Sequence, residues 1–187
     1  PAWIMLLVLI AACPHSQAFR TAAAIMAPPL AAAFTLTPQQ LGLFAGAFHF
    51  AFGALQLFMG MGIDVYGSRR TVLAVFPLAV AGALVTASPD SYAGLIVGQA
   101  LTGIGCAPAF LACTVFISRR FPSGQYAQVN GAALGIGSVG LLLTGTPLAW
   151  VVETWSWRAG FVALAACGAL AWLGILLLVR EEAPAPA

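Results

Sequence analysis

Long apolar runs, broken only by short polar junctions, fill this sequence almost from end to end. They decide what the chain can be, because a helix crossing a bilayer needs about 20 predominantly apolar residues. Of the 187 residues, 61% are hydrophobic and only 6% are charged, where a soluble domain carries about 25%. The polar groups that would cover a water-facing surface are therefore lacking. The 20 glycines and 12 prolines sit inside apolar sequence, which argues against a disordered chain. Its 7 basic residues are all arginine and form no patch for nucleic acid. A soluble enzyme and a nucleic-acid binder are excluded, and an integral membrane protein is implied. The runs are continuous rather than alternating with period two, so helices are expected and a barrel is not.

Local punctuation divides the chain into six expected spans, at about 3–33, 38–61, 70–87, 91–118, 125–152 and 158–179. Residues 1–180 form one all-α bundle in this reading, and 181–187 begin a cytoplasmic linker. Thr37-Pro38-Gln39-Gln40 supplies a hydroxyl cap, a first-turn proline and a glutamine at the third position. Ser88-Pro89-Asp90-Ser91 does similar work before the fourth span, and Phe121-Pro122-Ser123-Gly124 separates the fourth from the fifth. Arg69, Arg70, Arg119, Arg120 and Arg180 all fall on one side, against Arg158 beside Glu153 on the other. That asymmetry places both termini in the cytoplasm, with the chain in the cell (inner) membrane. Ile10-Ala11-Ala12-Cys13 imitates a lipoprotein cleavage box, but the apolar sequence runs on to Phe34, too far for a signal peptide. The four cysteines show no metal spacing, and no cofactor is expected.

Polar side chains at bilayer depth are costly, so their placement carries information. His15, Ser16, Gln17 and Arg20 lie in the first span, His49 and Gln56 in the second, Gln99 in the fourth and Asn130 in the fifth. The third and sixth spans carry no Arg, His, Gln or Asn between their ends, so they are expected to face lipid and the first, second, fourth and fifth to face inward. Gly42, Gly46, His49, Gly53, Gln56 and Gly60 recur at steps of four and three and form one stripe. It reads either as a packing seam or as a cavity-lining surface. Arg20 has no acidic residue within any span to pair with, and an arginine does not shed its proton. It is either a structural residue bonded to helix ends or a clamp for a carboxylate or phosphate, with Gln17 one turn earlier on the same face. His15 and His49 are the intramembrane groups able to titrate near neutrality, and each is equally readable as a packing residue.

Gly60-Met61-Gly62-Ile63-Asp64-Val65-Tyr66-Gly67-Ser68-Arg69-Arg70-Thr71-Val72-Leu73 resembles the signature loop of the major facilitator superfamily. Leu101-Thr102-Gly103-Ile104-Gly105, Arg119-Arg120-Phe121-Pro122, and Thr146-Pro147-Leu148-Ala149 with Trp157-Arg158-Ala159-Gly160-Phe161 resemble later segments of that family in the same order. The resemblance implies six transmembrane helices in a three-plus-three inverted repeat, half of a twelve-helix transporter. Asp64 with Arg69 and Glu153 with Arg158, each five apart, would be an echo of that repeat. The resemblance further implies a charge network in which Asp64 accepts from Arg69 and Arg70, with Arg119 or Arg120 as further donors. Val65 and Ser68 stand where the family usually has basic residues. Gln99 stands where many members carry an arginine. Arg20 aligns with an arginine of the anion:cation symporter-like branch, whose acidic partners are here Phe19 and Cys106. Proton coupling through this half would then need His15 or His49.

The implied activity is alternating-access movement of a small anionic organic solute, held by Arg20, Gln17, His49 and Gln99. Gly60, Asp64, Gly67, Arg69, Arg70 and Arg119 would form the gating motif. The implied partners are the bilayer and a second six-helix half, supplied either by further chain beyond the Ala-Pro tail or by a second copy. A non-transporting membrane module of the same fold, a sensor or an assembly partner, is the alternative. Catalysis has no support in the sequence, which holds no GxSxG, acid pair or metal-ligand cluster.

Overall fold

A computed structural model describes residues 2–88 and 90–179, with the backbone alone described for 2–13, 139, 140 and 143. The expected linker, Arg180, Pro89 and the Cys13 side chain thus lie outside the described residues. Within them the chain is helical throughout: α1 (Ala2–Phe34), α2 (Pro38–Tyr66), α3 (Ser68–Val75), α4 (Pro77–Ala87), α5 (Tyr92–Arg120), α6 (Ser123–Thr144), α7 (Thr146–Thr154) and α8 (Trp157–Leu178). Four helical runs among the described residues are long and apolar enough to cross a membrane: Pro38–Tyr66, Ser68–Ala87, Tyr92–Arg120 and Trp157–Leu178.

The junctions follow local chemistry. Gln40 N donates to Thr37 Oγ1 at 3.3 Å while Thr37 N donates to Gln40 Oε1 at 2.8 Å, a complete capping box at the start of α2. Ser91 caps α5 by accepting from Gly94 N at 3.4 Å. Between α2 and α3 stands Gly67, with φ 87 and ψ 161. That region of backbone space is essentially glycine's alone, and it lets the chain reverse within a single residue.

Two expected spans, 70–87 and 125–152, are each divided. Pro77 opens α4, and Pro147 lies in the first turn of α7 just after Gly145. A proline has no N–H for the carbonyl four residues earlier and clashes with it. For Pro77 that carbonyl belongs to Leu73, and Trp172 Nε1 of α8 donates to it at 3.0 Å. The break is therefore repaired by a side chain from another helix.

The core is organised around α5, the most buried of the four apolar runs. Glycines on α4 and α5 permit its close packing. A Cβ on Gly82 would lie 2.5 Å from Thr102 N, one on Gly105 would lie 2.6 Å from Ala79 Cα, and one on Gly103 would lie 3.1 Å from the Phe48 carbonyl carbon. The α2 and α4 backbones thus pack directly on α5. Thr86 and Thr102 turn their hydroxyls back to Gly82 O and Gly98 O, both at 2.8 Å, so neither buried hydroxyl is left without a partner. Phe19, Met26 and Leu30 of α1, Phe44 and Phe48 of α2 and Phe161 of α8 complete the main apolar cluster.

Candidate functional site: an arginine-bearing cavity

A cavity of about 210 Å³ opens between α1, α2, α5 and α6. These belong to the four spans that the polar side chains had marked as inward-facing; α3, α4 and α8 contribute nothing to its lining. Its polar wall consists of Ser16, Gln17 and Arg20 from α1 with Gln56 from α2. Phe52, Phe110, Ala133 and Leu134 supply the apolar remainder.

Arg20 is exposed toward this opening rather than packed against helix ends. Its Nη1 donates to Gln17 Oε1 at 3.3 Å, and its Cζ lies 5.3 Å from the centroid of the Phe52 ring. No carboxylate lines the cavity among the described residues. The Cys106 thiol of α5 is buried. Chemically this is a fixed cation in a mostly apolar recess, with amides and a hydroxyl around it.

The other expected site residues lie elsewhere. His49 is exposed, and its Nδ1 donates to Ala45 O of its own helix at 2.9 Å. It shares a helix face with Gln56 but sits seven residues away, about 10 Å along the axis, and so misses the cavity. Gln99 is 1% exposed, lies outside the lining, and its Nε2 has no hydrogen-bond partner among the described residues. His15 is a packing residue. Its Nε2 donates to Leu164 O at 2.8 Å, its ring meets Phe19 edge-on, and Gly168 leaves the room that a Cβ would take. Gln56 and Ser16 are the polar groups missing from the expected set. Their angular position was readable from helical spacing, but their depth was not.

The glycine stripe of α2 is not a seam between helices of this bundle. A Cβ at Gly42, Gly46 or Gly53 would meet nothing within 4 Å, and Phe50, Leu57, Phe58 and Met61 are exposed around it. An unpartnered apolar face therefore runs along α2.

At the α2–α3 junction one pair of the expected charge network is formed. Arg119 Nη2 donates to Asp64 Oδ1 at 3.1 Å, with both side chains largely exposed. Arg69 donates through Nη2 to Leu176 O at 2.9 Å, which tethers the last turn of α8. Arg70 is exposed. Gly60 packs ordinarily, its missing Cβ 3.7 Å from Leu111. At the other end of the helices Arg158 meets Asp90 at 3.8 Å and lies 4.4 Å over the Trp157 ring.

Comparison with known proteins agrees with the fold. The model of the Major Facilitator Superfamily matches residues 8–187. A hexuronate transporter of Bacillus subtilis is 24% identical over 165 residues, covering 88% of this chain and 39% of that protein. A probable sulfoacetate transporter of Cupriavidus necator, SauU, is 24% identical over 160 residues, covering 86% of this chain and 37% of that protein. The chain thus spans about two fifths of the length of these relatives. The structure of the proton:xylose symporter XylE bound to 6-bromo-6-deoxy-D-glucose superposes with a TM-score of 0.84 at 13% identity, over 94% of this chain and 44% of that one. On the extent of these matches, the chain belongs to the Major Facilitator Superfamily.

Proposed function

We propose that this chain is one six-helix half of a secondary transporter that moves a small anionic organic solute by alternating access. The observation that carries the reading is Arg20. A guanidinium inside a bilayer costs at least about 2.5–3.5 kcal/mol when it is left unpaired, and this one is turned into a cavity where no described carboxylate meets it. An anion entering the cavity supplies the missing charge through forked N–H donation, with Gln17 and Gln56 as neutral partners for its remaining oxygens. At about 210 Å³ the recess is smaller than the roughly 300–1,000 Å³ of pockets for drug-sized ligands, which suits a small solute. The two sequence relatives named above are named for anions, which supports this class of solute, although the structural neighbour is named for a neutral sugar.

The rest of the reading concerns the second half. The unpartnered face of α2 is the surface on which that half would close, so that rocking between the halves alternately opens and seals the Arg20 cavity. Further chain beyond residue 187 is the preferred source, and a second copy is the other. The six spans form a three-plus-three inverted repeat, both termini are cytoplasmic, and the Asp64–Arg119 pair braces one conformation from the cytoplasmic side of the inner membrane.

Counterflow in liposomes with the complete reading frame tests this. Arg20→Ala is expected to raise the half-saturating concentration of galacturonate or sulfoacetate by at least about tenfold, the loss of one or more charge-assisted hydrogen bonds. Arg20→Lys is expected to fall in between, since it keeps the charge and loses the fork. Unchanged values in both variants would remove Arg20 from the site.

A further inference from the structure

Arg20 is a long, flexible side chain, and a flexible cation loses rotamer freedom each time it grips a ligand. The structure shows what limits that loss. The guanidinium carbon lies 5.3 Å from the centroid of the Phe52 ring, and Nη1 donates to Gln17 Oε1 at 3.3 Å. Phe52 in turn is stacked on Phe48, with centroids 5.9 Å apart and planes at 16°. Phe48 is 1% exposed, and its backbone presses on the α5 helix at Gly103. A continuous line of packing therefore runs from the α2–α5 contact through two rings to the cation.

We propose that Phe52 is a positioning residue for the anion site, holding the Arg20 guanidinium plane so that its free edge points into the cavity. This rests on the anion-binding reading given above and adds to it a selectivity. A planar, oriented fork favours oxyanions that accept two parallel N–H bonds, such as carboxylates, sulfonates and phosphates. A loose cation would hold any small anion about as well. Phe52 touches Arg20 and need not touch the solute.

The test is equilibrium binding of galacturonate and of sulfoacetate to the purified complete carrier and its variants. Phe52→Leu keeps an apolar group of similar reach but removes the π face, and is expected to weaken both probes by between about twofold and thirtyfold. Phe52→Trp keeps a face for the cation and should stay within about twofold of wild type. In an Arg20→Ala background Phe52→Leu should add nothing, because the group it positions is gone. Phe52→Met carries the same expectation if the leucine variant does not purify as folded protein. The proposal is overturned if the leucine and methionine variants bind as wild type does, or if their effect persists undiminished without Arg20. Wild-type affinity in Arg20→Ala itself, or no binding of either probe by the wild type, would instead defeat the anion-site reading from which this one starts.

Discussion

Single residues set the ends of helices and the chemistry of the cavity, and they differ in how openly the sequence declares them. Thr37 and Gln40 do so fully, because a capping box involves only four consecutive residues and every partner is a neighbour in the chain. Gly67 is similarly local. With φ 87 and ψ 161 it occupies backbone space that an alanine enters only under strain. Gly67→Ala is expected to cost about 1–3 kcal/mol, read as a lowered unfolding temperature in detergent; an unaltered melt would mean that the turn relaxes freely. Arg20 and Gln17 were legible as a pair because they lie one turn apart on one face. His49 and Gln99 lie outside the cavity lining, since a helical period gives the angle around an axis but not which neighbour stands at that height. His49 points along the same stripe as Gln56 and still lies two turns from the cavity.

At the scale of the helix, continuity and its interruptions govern the packing. The apolar runs announced the helices, yet the divisions at Phe76 and Gly145 were not foreseen, although Pro77 and Pro147 were in plain view. The reason is that α1 and α5 carry Pro14, Pro28, Pro29 and Pro108 inside unbroken helices, so a proline alone does not say whether the helix continues. What decides is whether the freed carbonyl finds another donor and whether neighbouring helices favour the bend. At Pro77 the donor is Trp172 on α8, some hundred residues away in the chain, a partner that no local pattern reveals. Trp172→Phe should destabilise the protein by about 1 kcal/mol through loss of that bond. In a Pro77→Ala background, where an N–H is restored to the helix, the same change should cost measurably less. Equal costs in thermal unfolding of the two backgrounds would show that the indole does not serve the proline break.

Considered whole, the molecule is a bundle with one side left open. Which helices line the cavity was legible, because arginine and glutamine are too costly in lipid to be scattered at random. The open side was not, because a glycine stripe looks alike whether its partner lies within the same bundle or beyond it. The structure favours a partner beyond it: Gly46 has empty space where a Cβ would go, unlike Gly98, Gly103 and Gly105 of α5. Gly46→Leu should therefore leave expression and folding of the bundle intact while sharply reducing transport by the complete carrier, since the obstruction falls on the face proposed to meet the second half. Loss of folded protein in that variant would place the stripe inside the bundle after all. The Asp64–Arg119 pair belongs to this scale too. Its side chains are 74% and 49% exposed, so it adds little to stability, and its proposed role is to favour one arrangement of the halves.

The account turns on Arg20 facing a solute rather than lipid. A structure of the complete carrier with galacturonate or sulfoacetate bound tests this most directly. The predicted result is an oxyanion within hydrogen-bonding distance of the Arg20 guanidinium, about 2.7–2.9 Å, between α1, α2, α5 and α6. Solute bound elsewhere, with the guanidinium among lipid headgroups, would contradict it.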